Sequence, residues 1–414
     1  MNIDMKGAAM LAVAAVGIAA GAYTLGSKEG QKADGAEPTT TTTPSTSTTA
    51  AVPTAAVATT GLPSGHPSTT AGADPNAKFT HFRVGNRNVK SMHADGDLMW
   101  VGTSGGIIRY DTKTDQYKLY DNRSGLLSNG VFYVGKLGSQ IAIGTYGGGL
   151  SLLDPATEKW TNYNVPHGLA DAFVYEVLEA RNGDVWIATW SGANRIRGGK
   201  LEDRSAWDTY TVENTNGGLP NDWVYGLDEA PDGTIWLGTE GGLAHFKDDK
   251  WQNWQHEDGL GAKYELVKAD IKFTNDPGKA SSHHARQKTE QGLENVDIAY
   301  NPNYIISMVV DKDGVVWCGT WGGGLARFDG KEWKNFTVQD GMPSNHIFML
   351  REDAAGQIWA GTSGGLVAFS EGKPKVYTTS DGLFSDNVFS MAEGSDNSRW
   401  VGSYGGVARI ISLQ

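Results

Sequence analysis

The most regular feature of this sequence is a pair of short apolar runs joined by a glycine-rich stretch. From Gln357 to Phe369 the residues read QIWAGTSGGLVAF, and similar stretches recur along the chain. Short apolar runs on either side of a glycine pair are typical of two strands joined by a tight hairpin, because glycine readily adopts the positive φ that such turns need. Each copy therefore predicts a β-hairpin.

Seven copies of this hairpin occur, and we number them repeats one to seven. The third residue of the W-x-G-T unit marks each copy, at Gly102, Gly144, Ala188, Gly238, Gly319, Gly361 and Gly402. The intervals between these markers are 42, 44, 50, 81, 42 and 41 residues, and about 40–50 residues are typical of one four-stranded propeller blade. The longest interval equals one blade and about 40 further residues. It predicts an insertion at 261–300, in the loop before the first strand of repeat five.

The first strand of each repeat shows an alternation that favours packing around an axis. It begins at Val89, Val131, Val174, Val224, Ile305, Ile347 and Val388. The following residue is large and apolar or aromatic in six repeats, with Lys90 the exception, and the residue after that is Ser or Gly in four of the seven. Alternating small and large residues suit an inner strand packed between two neighbours. Together these patterns predict an all-β protein, a seven-bladed β-propeller.

The two ends of the repeat region are expected to meet. Repeat seven ends after its third strand, whereas a spare run, KFTHFR, precedes repeat one at 78–83. This run is similar to the fourth-strand runs of other repeats, such as WTNY from Trp160 and WKNF from Trp333. An unpaired edge would otherwise remain at the seam of the ring. We therefore expect an N-terminal strand to complete the last blade, within a propeller that spans 78–414.

The residues before the propeller predict export. An uncharged run from Gly7 to Ser27 lies between Lys6 and Lys28, and its 21 residues would span about 31 Å as a helix. Residues 1–28 are thus either a signal peptide or a single membrane anchor helix, and both alternatives export the rest of the chain. Residues 29–77 are rich in Thr, Pro and Ala, which predicts a disordered linker.

Composition adds two exclusions. The formal net charge is −12, and the sequence has no basic stripe, so nucleic acid is not an expected partner. Cys318 is the one cysteine in the sequence, so no internal disulfide can form. It lies inside a predicted strand, where a buried and unreactive thiol is expected.

The segments between repeats carry a resemblance to a known family. They read GLLSNGV from Gly125, GLPNDWV from Gly218, GMPSNHI from Gly341 and GLFSDNV from Gly382. Followed by a strand, a turn and W-x-G-T-x-G-G-L, this pattern resembles the two-component regulator propeller repeat. The resemblance implies a β-propeller of the kind that often forms the extracytoplasmic sensor part of bacterial membrane histidine kinases. The sequence contains one propeller and no kinase, so signalling by phosphorelay is not carried over.

The residue after each G-T unit supplies the candidate binding site. Loops joining strands two and three should lie on one face of a propeller, around the mouth of its axis. At this position, which we call the mouth ring, the chain has Ser104, Tyr146, Trp190, Glu240, Trp321, Ser363 and Tyr404. Exposed aromatic rings can stack on sugars or anchor a protein. The predicted ligand-binding residues are therefore Tyr146, Trp190, Glu240, Trp321 and Tyr404, unless these rings only pack over neighbouring turns.

We expect an exported module, periplasmic or extracellular, that binds a small molecule or glycan at this mouth. It is membrane-bound if residues 1–28 stay attached. The alternative is a protein-interaction scaffold of a cell-envelope complex. A lyase or hydrolase using Glu240 or Glu176 is a third possibility, but the sequence contains no Ser–His or His–acid arrangement of known chemistry. No catalytic residue, metal site or cofactor is predicted. The insertion has a polar composition that suggests a flap or partner arm, with His283 and His284 in solvent.

Overall fold

The computed structural model of the chain describes residues 79–411. The expected signal peptide or anchor at 1–28 and the expected linker at 29–77 lie outside these residues. Between residues 79 and 411, no helix is both long enough and apolar enough to cross a bilayer.

Five of the repeats form separate antiparallel sheets of four strands, in which consecutive strands are neighbours. Repeats two and three contain β5 (Val131–Leu137), β6 (Gln140–Thr145), β7 (Leu150–Leu153), β8 (Trp160–Tyr163), β9 (Val174–Glu179), β10 (Val185–Thr189), β11 (Gly192–Ile196) and β12 (Trp207–Tyr210). Repeats four to six contain β13 (Val224–Glu229), β14 (Ile235–Thr239), β15 (Gly242–Lys247), β16 (Lys250–Trp254), β17 (Asn301–Val310), β18 (Val316–Trp321), β19 (Leu325–Phe328), β20 (Trp333–Phe336), β21 (Ile347–Glu352), β22 (Ile358–Thr362), β23 (Gly365–Ala368) and β24 (Lys375–Tyr377).

Repeats one and seven share one sheet of six strands, so the expectation of seven separate blades is corrected to five separate sheets and one joined pair. The joined sheet contains β1 (Phe79–Asp95), β2 (Leu98–Thr103), β3 (Gly106–Asp111), β4 (Tyr117–Tyr120), β25 (Val388–Glu393) and β26 (Arg399–Ile410). The physical reason is that β1 is long enough to pair twice. Its first part pairs with β26, from Phe79 opposite Ile410 to Arg83 opposite Gly406. Its second part, from Val89, pairs with β2. The predicted pairing of the N-terminal run with the last strand is confirmed.

The apolar core lies between neighbouring sheets. One cluster joins Trp186 of repeat three to Leu227 and Phe246 of repeat four. A cluster of the same kind joins repeats seven and one, where Trp400 packs with Val89. Such burial between faces is the main stabilising term for a sheet protein.

The glycine of the W-x-G-T unit permits this close packing. A Cβ built on Gly102 would lie 2.7 Å from Cγ1 of Val131 in the next repeat. A Cβ on Gly402 would lie 2.6 Å from Cγ1 of Val89. Any side chain at these positions would therefore push the neighbouring first strand outward. Repeat seven contacts repeat one in the same way that repeat one contacts repeat two.

Two sets of polar side chains hold the loops at the mouth. The threonine hydroxyl of the G-T unit donates to a glycine carbonyl across its own hairpin, for example from Thr239 to Gly242 at 2.8 Å. In five repeats, an Asn or Asp two residues before the Val or Ile that marks the first strand accepts a backbone N–H from the loop after the preceding fourth strand. These residues are Asn129, Asp222, Asn303, Asn345 and Asp386. Each of these hydrogen bonds joins two consecutive repeats, so these side chains have a structural role.

The insertion is folded and carries three short helices, α1 (Tyr264–Val267), α2 (Pro277–Ala280) and α3 (Ser282–Glu290). It has a small core in which Val267 and Tyr300 are buried. The buried ammonium of Lys288 donates to Asp276 at 2.8 Å and to the carbonyl of Val296 at 2.7 Å. These bonds connect α2, α3 and the segment that returns to β17. The insertion, expected as a flap or partner arm, therefore has a small core of its own.

Candidate functional site

The mouth ring is divided by the insertion. Tyr146, Trp190 and Tyr404 keep part of their surface in solvent. Glu240 is 0% exposed and Trp321 is 3% exposed. The expectation that all five predicted residues line an open rim is therefore wrong for Glu240 and Trp321, because the insertion lies over repeats four and five. The insertion thus lies on the face of the propeller that carries the mouth ring.

Glu240 is held by both histidines of the insertion. Nε2 of His283 donates to one carboxylate oxygen at 3.0 Å, and Nδ1 of His284 donates to the other. Burial alone would raise the pKa of the Glu240 carboxyl, but the charges and hydrogen bonds of His284 and His283 outweigh burial and lower this pKa below its ordinary value. The ring of His283 also stacks on Trp223, with centroids 3.6 Å apart. The expectation that the histidine pair lies in solvent is wrong.

Trp321 is covered by Phe273 of the insertion and by Tyr304 of the adjoining strand β17. Tyr304 stacks on it with centroids 5.7 Å apart, and the edge of Phe273 meets it at the same separation. His346 lies 5.2 Å from the Trp321 ring and donates from Nε2 to the carbonyl of Ala299 at 2.8 Å. Burial lowers the pKa of His346 to about 4, so this histidine is neutral at physiological pH.

The part of the mouth that stays open carries a continuous line of aromatic rings, which we call the aromatic row. Tyr146 and Phe173 meet edge to face with centroids 4.7 Å apart, and Phe173 and Trp190 meet at 4.6 Å. Trp190 then meets Trp223 at 4.4 Å. The row runs from repeat two to repeat four and ends where Trp223 contacts His283. Tyr404 lies outside the row, in the six-stranded sheet opposite Asn88.

Polar groups accompany the middle of the aromatic row. The exposed Ser191, which follows Trp190, donates from Oγ to Oδ2 of Asp171 at 2.8 Å. The other Asp171 oxygen accepts the backbone N–H of Phe173 at 2.9 Å. Burial raises the pKa of Asp171 above its ordinary value. A carboxylate and a hydroxyl beside exposed aromatic surface can bind sugar hydroxyls while the rings cover the apolar face of a sugar.

A cavity of 460 Å³ lies on the axis. First strands from all seven repeats line it, and their large residues form an aromatic band across the axis. The band consists of Phe132, Tyr175, Tyr225, Ile306, Phe348 and Phe389, and Lys90 occupies the corresponding position in repeat one. Phe132 and Tyr175 lie 4.6 Å apart, and Tyr175 and Tyr225 lie 4.7 Å apart. From this band the cavity extends toward the turns between strands one and two, away from the insertion.

Charged groups interrupt the aromatic band at two positions. Nζ of Lys90 lies 5.2 Å from the ring centre of Phe389, and burial lowers the pKa of Lys90 to about 8. Glu176 accepts the backbone N–H of Leu227 at 2.8 Å. Burial is the main cause that raises the pKa of Glu176 to about 8. At neutral pH the cavity therefore presents a cationic Lys90 and a largely protonated Glu176.

The two acids singled out in the sequence are not brought together. Glu240 lies beneath the insertion, whereas Glu176 lies in the axial cavity, and their polar partners differ. Among residues 79–411, no three His, Cys, Asp or Glu side chains meet in a way that could hold a metal ion. The sequence analysis missed two aromatic residues of this site, Phe173 and Trp223. Each directly precedes the Val that begins a first strand, so comparing the repeats at that position could have found them.

Comparison with known proteins agrees with this architecture. Residues 218–241, 299–322 and 341–364 match the family model described as two component regulator propeller. No curated protein matches the sequence. The extracellular domain of a protein described as a hybrid two component system from B. thetaiotaomicron aligns with a TM-score of 0.60 and 17% identity, over 80% of this chain and 41% of that one.

Two further solved structures show the same fold. Virginiamycin B lyase from Staphylococcus aureus aligns with a TM-score of 0.55 and 11% identity, over 81% of this chain and 99% of that one. PorZ, a surface component of the type-IX secretion system of Porphyromonas gingivalis, aligns with a TM-score of 0.53 and 14% identity, over 78% of this chain and 46% of that one. At these identities the likeness concerns the fold alone. The chain is therefore a β-propeller, and three of its repeats match the two-component regulator propeller model.

Proposed function

We propose that this chain is an exported recognition module that binds a small molecule or glycan at the open part of its mouth. The observation that carries the proposal is the aromatic row, in which Tyr146, Phe173 and Trp190 form an unbroken, partly exposed line. Asp171 and Ser191 place hydrogen-bonding groups beside it. Large aromatic surface with a few fixed polar groups is the usual composition of a small-ligand site.

We propose further that the propeller has seven blades, with two of them joined in the six-stranded sheet. Two observations support this count. First strands from all seven repeats line one axial cavity. Gly402 also approaches Val89 as Gly102 approaches Val131, so the last and first repeats pack like any other neighbours.

The site of the ligand differs from the sequence-based hypothesis in one respect. Glu240 and Trp321 are covered by the insertion, so the proposal assigns binding to Tyr146 and Trp190, joined by Phe173. Tyr404 stays a candidate at the edge of the mouth. Secretion, or attachment to the inner membrane by residues 1–28, would place this mouth in the periplasm or outside the cell. Fractionation of the host with an antibody against the propeller tests the location.

A glycan array probed with the full-length protein tests the ligand. Trp190→Ala should weaken binding to the best oligosaccharide by about tenfold or more, because truncating a central aromatic contact costs about 1–2 kcal/mol or more. Tyr117→Ala is the matched control, since Tyr117 is an exposed aromatic residue on β4. Equal binding by the wild type and Trp190→Ala would remove the mouth as the glycan site.

The scaffold alternative predicts a different result from the same variants. If the full-length protein purifies from its host with an envelope protein, and Trp190→Ala loses that protein but keeps its fold, the aromatic row is a protein-docking surface. The enzyme alternative requires an activity that Glu240→Gln or Glu176→Gln abolishes. Neither acid shares its polar partners with the other, so no two-carboxylate mechanism is proposed.

A further inference from the structure

The axial cavity contains an ammonium group that no carboxylate of the described residues neutralises. Lys90 occupies the position where the other six repeats place an aromatic residue or isoleucine. Among residues 79–411, no hydrogen bond or ion pair joins its Nζ to another residue, and Nζ lies 5.2 Å from the ring centre of Phe389. A partly buried cation without a partner is unfavourable, and such groups are enriched at functional sites.

A second lysine shows what an ordinary arrangement looks like in this fold. Lys118 on β4 also lies over an aromatic ring, with Nζ 4.9 Å from the centre of Tyr120. Its ammonium donates to the carboxylate of Glu158, so its charge is compensated. The cation–π contact at Lys90 alone does not supply the hydrogen-bond acceptors that an ammonium needs.

The other charged groups around the cavity leave it positive. Lys136 pairs with Asp95 at 2.8 Å, and Arg351 donates from Nη1 to the carbonyl of Met391 at 3.1 Å. Both side chains are exposed at the open end of the cavity. Of the described residues that line the cavity, Glu176 is the one acid, and it is largely protonated at neutral pH. A cationic cavity in a chain of net charge −12 is a local reversal of the protein's overall charge.

We propose that this cavity binds a small carboxylic acid whose ring lies against the aromatic band and whose carboxylate pairs with Lys90. A volume of 460 Å³ fits a ligand of this size. The rings of Phe132, Tyr175 and Phe389 form an apolar wall, and Lys90 supplies the cation in that wall. Protonated Glu176 can donate a hydrogen bond to the same ligand. The cavity extends from the band toward the turns between strands one and two, so the ligand enters from the face opposite the aromatic row.

Two sources of such a carboxylate share this chemistry, aromatic acids and uronic acids. Phenylacetate and glucuronate are the probes, and phenylacetamide and glucose are their neutral counterparts. Isothermal titration uses the full-length protein at pH 7 and low salt. At least one acid should bind ten or more times more tightly than its neutral counterpart, and the acid that does so identifies the source.

Variants separate the proposed contact from nonspecific attraction. Lys90→Met should weaken binding of the acid tenfold or more and abolish the preference for acid over neutral probe. Its fold should be kept, since six repeats already carry an apolar or aromatic residue there. Lys118→Met is the matched control and should bind within twofold of the wild type. Trp190→Ala should also bind normally, which separates this cavity from the mouth. Failure of both acids to bind, equal binding of the neutral probes, or unchanged binding by Lys90→Met would overturn the proposal.

Discussion

Replacement of Glu240 by serine should release the insertion without disturbing the propeller. Serine is the residue that repeats one and six carry at this position, at Ser104 and Ser363. The hairpin of repeat four can therefore accept it. The substitution removes the acceptor of two buried hydrogen bonds, from His283 and His284.

The size of the effect follows from the burial of this carboxylate. Hydrogen bonds to an ionised group contribute about 1.5–3 kcal/mol each, and loss of one partner of a buried ion pair costs about 3–5 kcal/mol. The packing of Phe273 near Trp321 and the hydrogen bonds of Lys288 remain. We expect the free energy that opens the insertion to fall by about 3 kcal/mol, which is about a hundredfold in the opening equilibrium.

Hydrogen exchange measured by mass spectrometry is the suitable assay, because local opening and global unfolding differ in which amides exchange. Amides of α3 should exchange about a hundred times faster in Glu240→Ser, whereas those of β14 and β18 should keep their protection. Glu290→Gln is the control, since Glu290 is an exposed carboxylate of the same helix that pairs with Arg286. Unchanged protection of α3 in Glu240→Ser would refute the idea that this carboxylate holds the insertion.

Two further predictions concern buried titratable groups. Glu176 has a pKa of about 8 in the folded protein, against an ordinary value of 4.5. The free energy of unfolding therefore falls as the pH rises from about 4.5 to about 8, because only the unfolded chain ionises this group readily there. The free energy of unfolding of Glu176→Gln should therefore exceed that of the wild type by about 4 kcal/mol at pH 8 and by about 1 kcal/mol at pH 5. Urea unfolding measures this difference, with Glu179→Gln as control. The Cys318 thiol is fully buried and burial raises its pKa, so iodoacetamide should label it only after unfolding, and rapid labelling of the native protein would contradict this reasoning.

The repeat architecture could be read from sequence because each copy repeats the same local constraints. The close approach of Gly102 to Val131, and the hairpin bond of Thr239, recur in copy after copy. Comparing seven imperfect copies therefore reveals the structural role of a repeated position that one copy would leave ambiguous. The pairing of the N-terminal run with β26 was also predictable, because a missing fourth strand and a spare run can compensate only each other. The merging of two repeats into one sheet was not predictable, since it depends on how β1 bends between Arg83 and Val89.

The insertion could not be read in the same way, because nothing in the chain repeats it. Its apolar residues are few, and its small core around Val267 and Tyr300 forms partly from residues near its two ends. In the sequence the histidine pair resembles solvated loop residues, because Glu240 precedes His283 by 43 positions. Only the folded chain brings Glu240 to these imidazoles, and this contact decides which part of the mouth stays open.

Departures from the repeat pattern fall into two physical classes. Ala188 replaces the glycine of repeat three, and Ala142 replaces the tryptophan of repeat two; both are fully buried among apolar side chains. These exchanges change the volume of a core position and need no ligand.

Glu240 and Lys90 instead introduce charge where other repeats are small or apolar, which is unfavourable unless a partner compensates it. Glu240 has its partners within the chain, in His283 and His284. Lys90 has no such partner between residues 79 and 411, and that difference makes the axial cavity, rather than the covered half of the mouth, the place where a charged ligand would complete the structure.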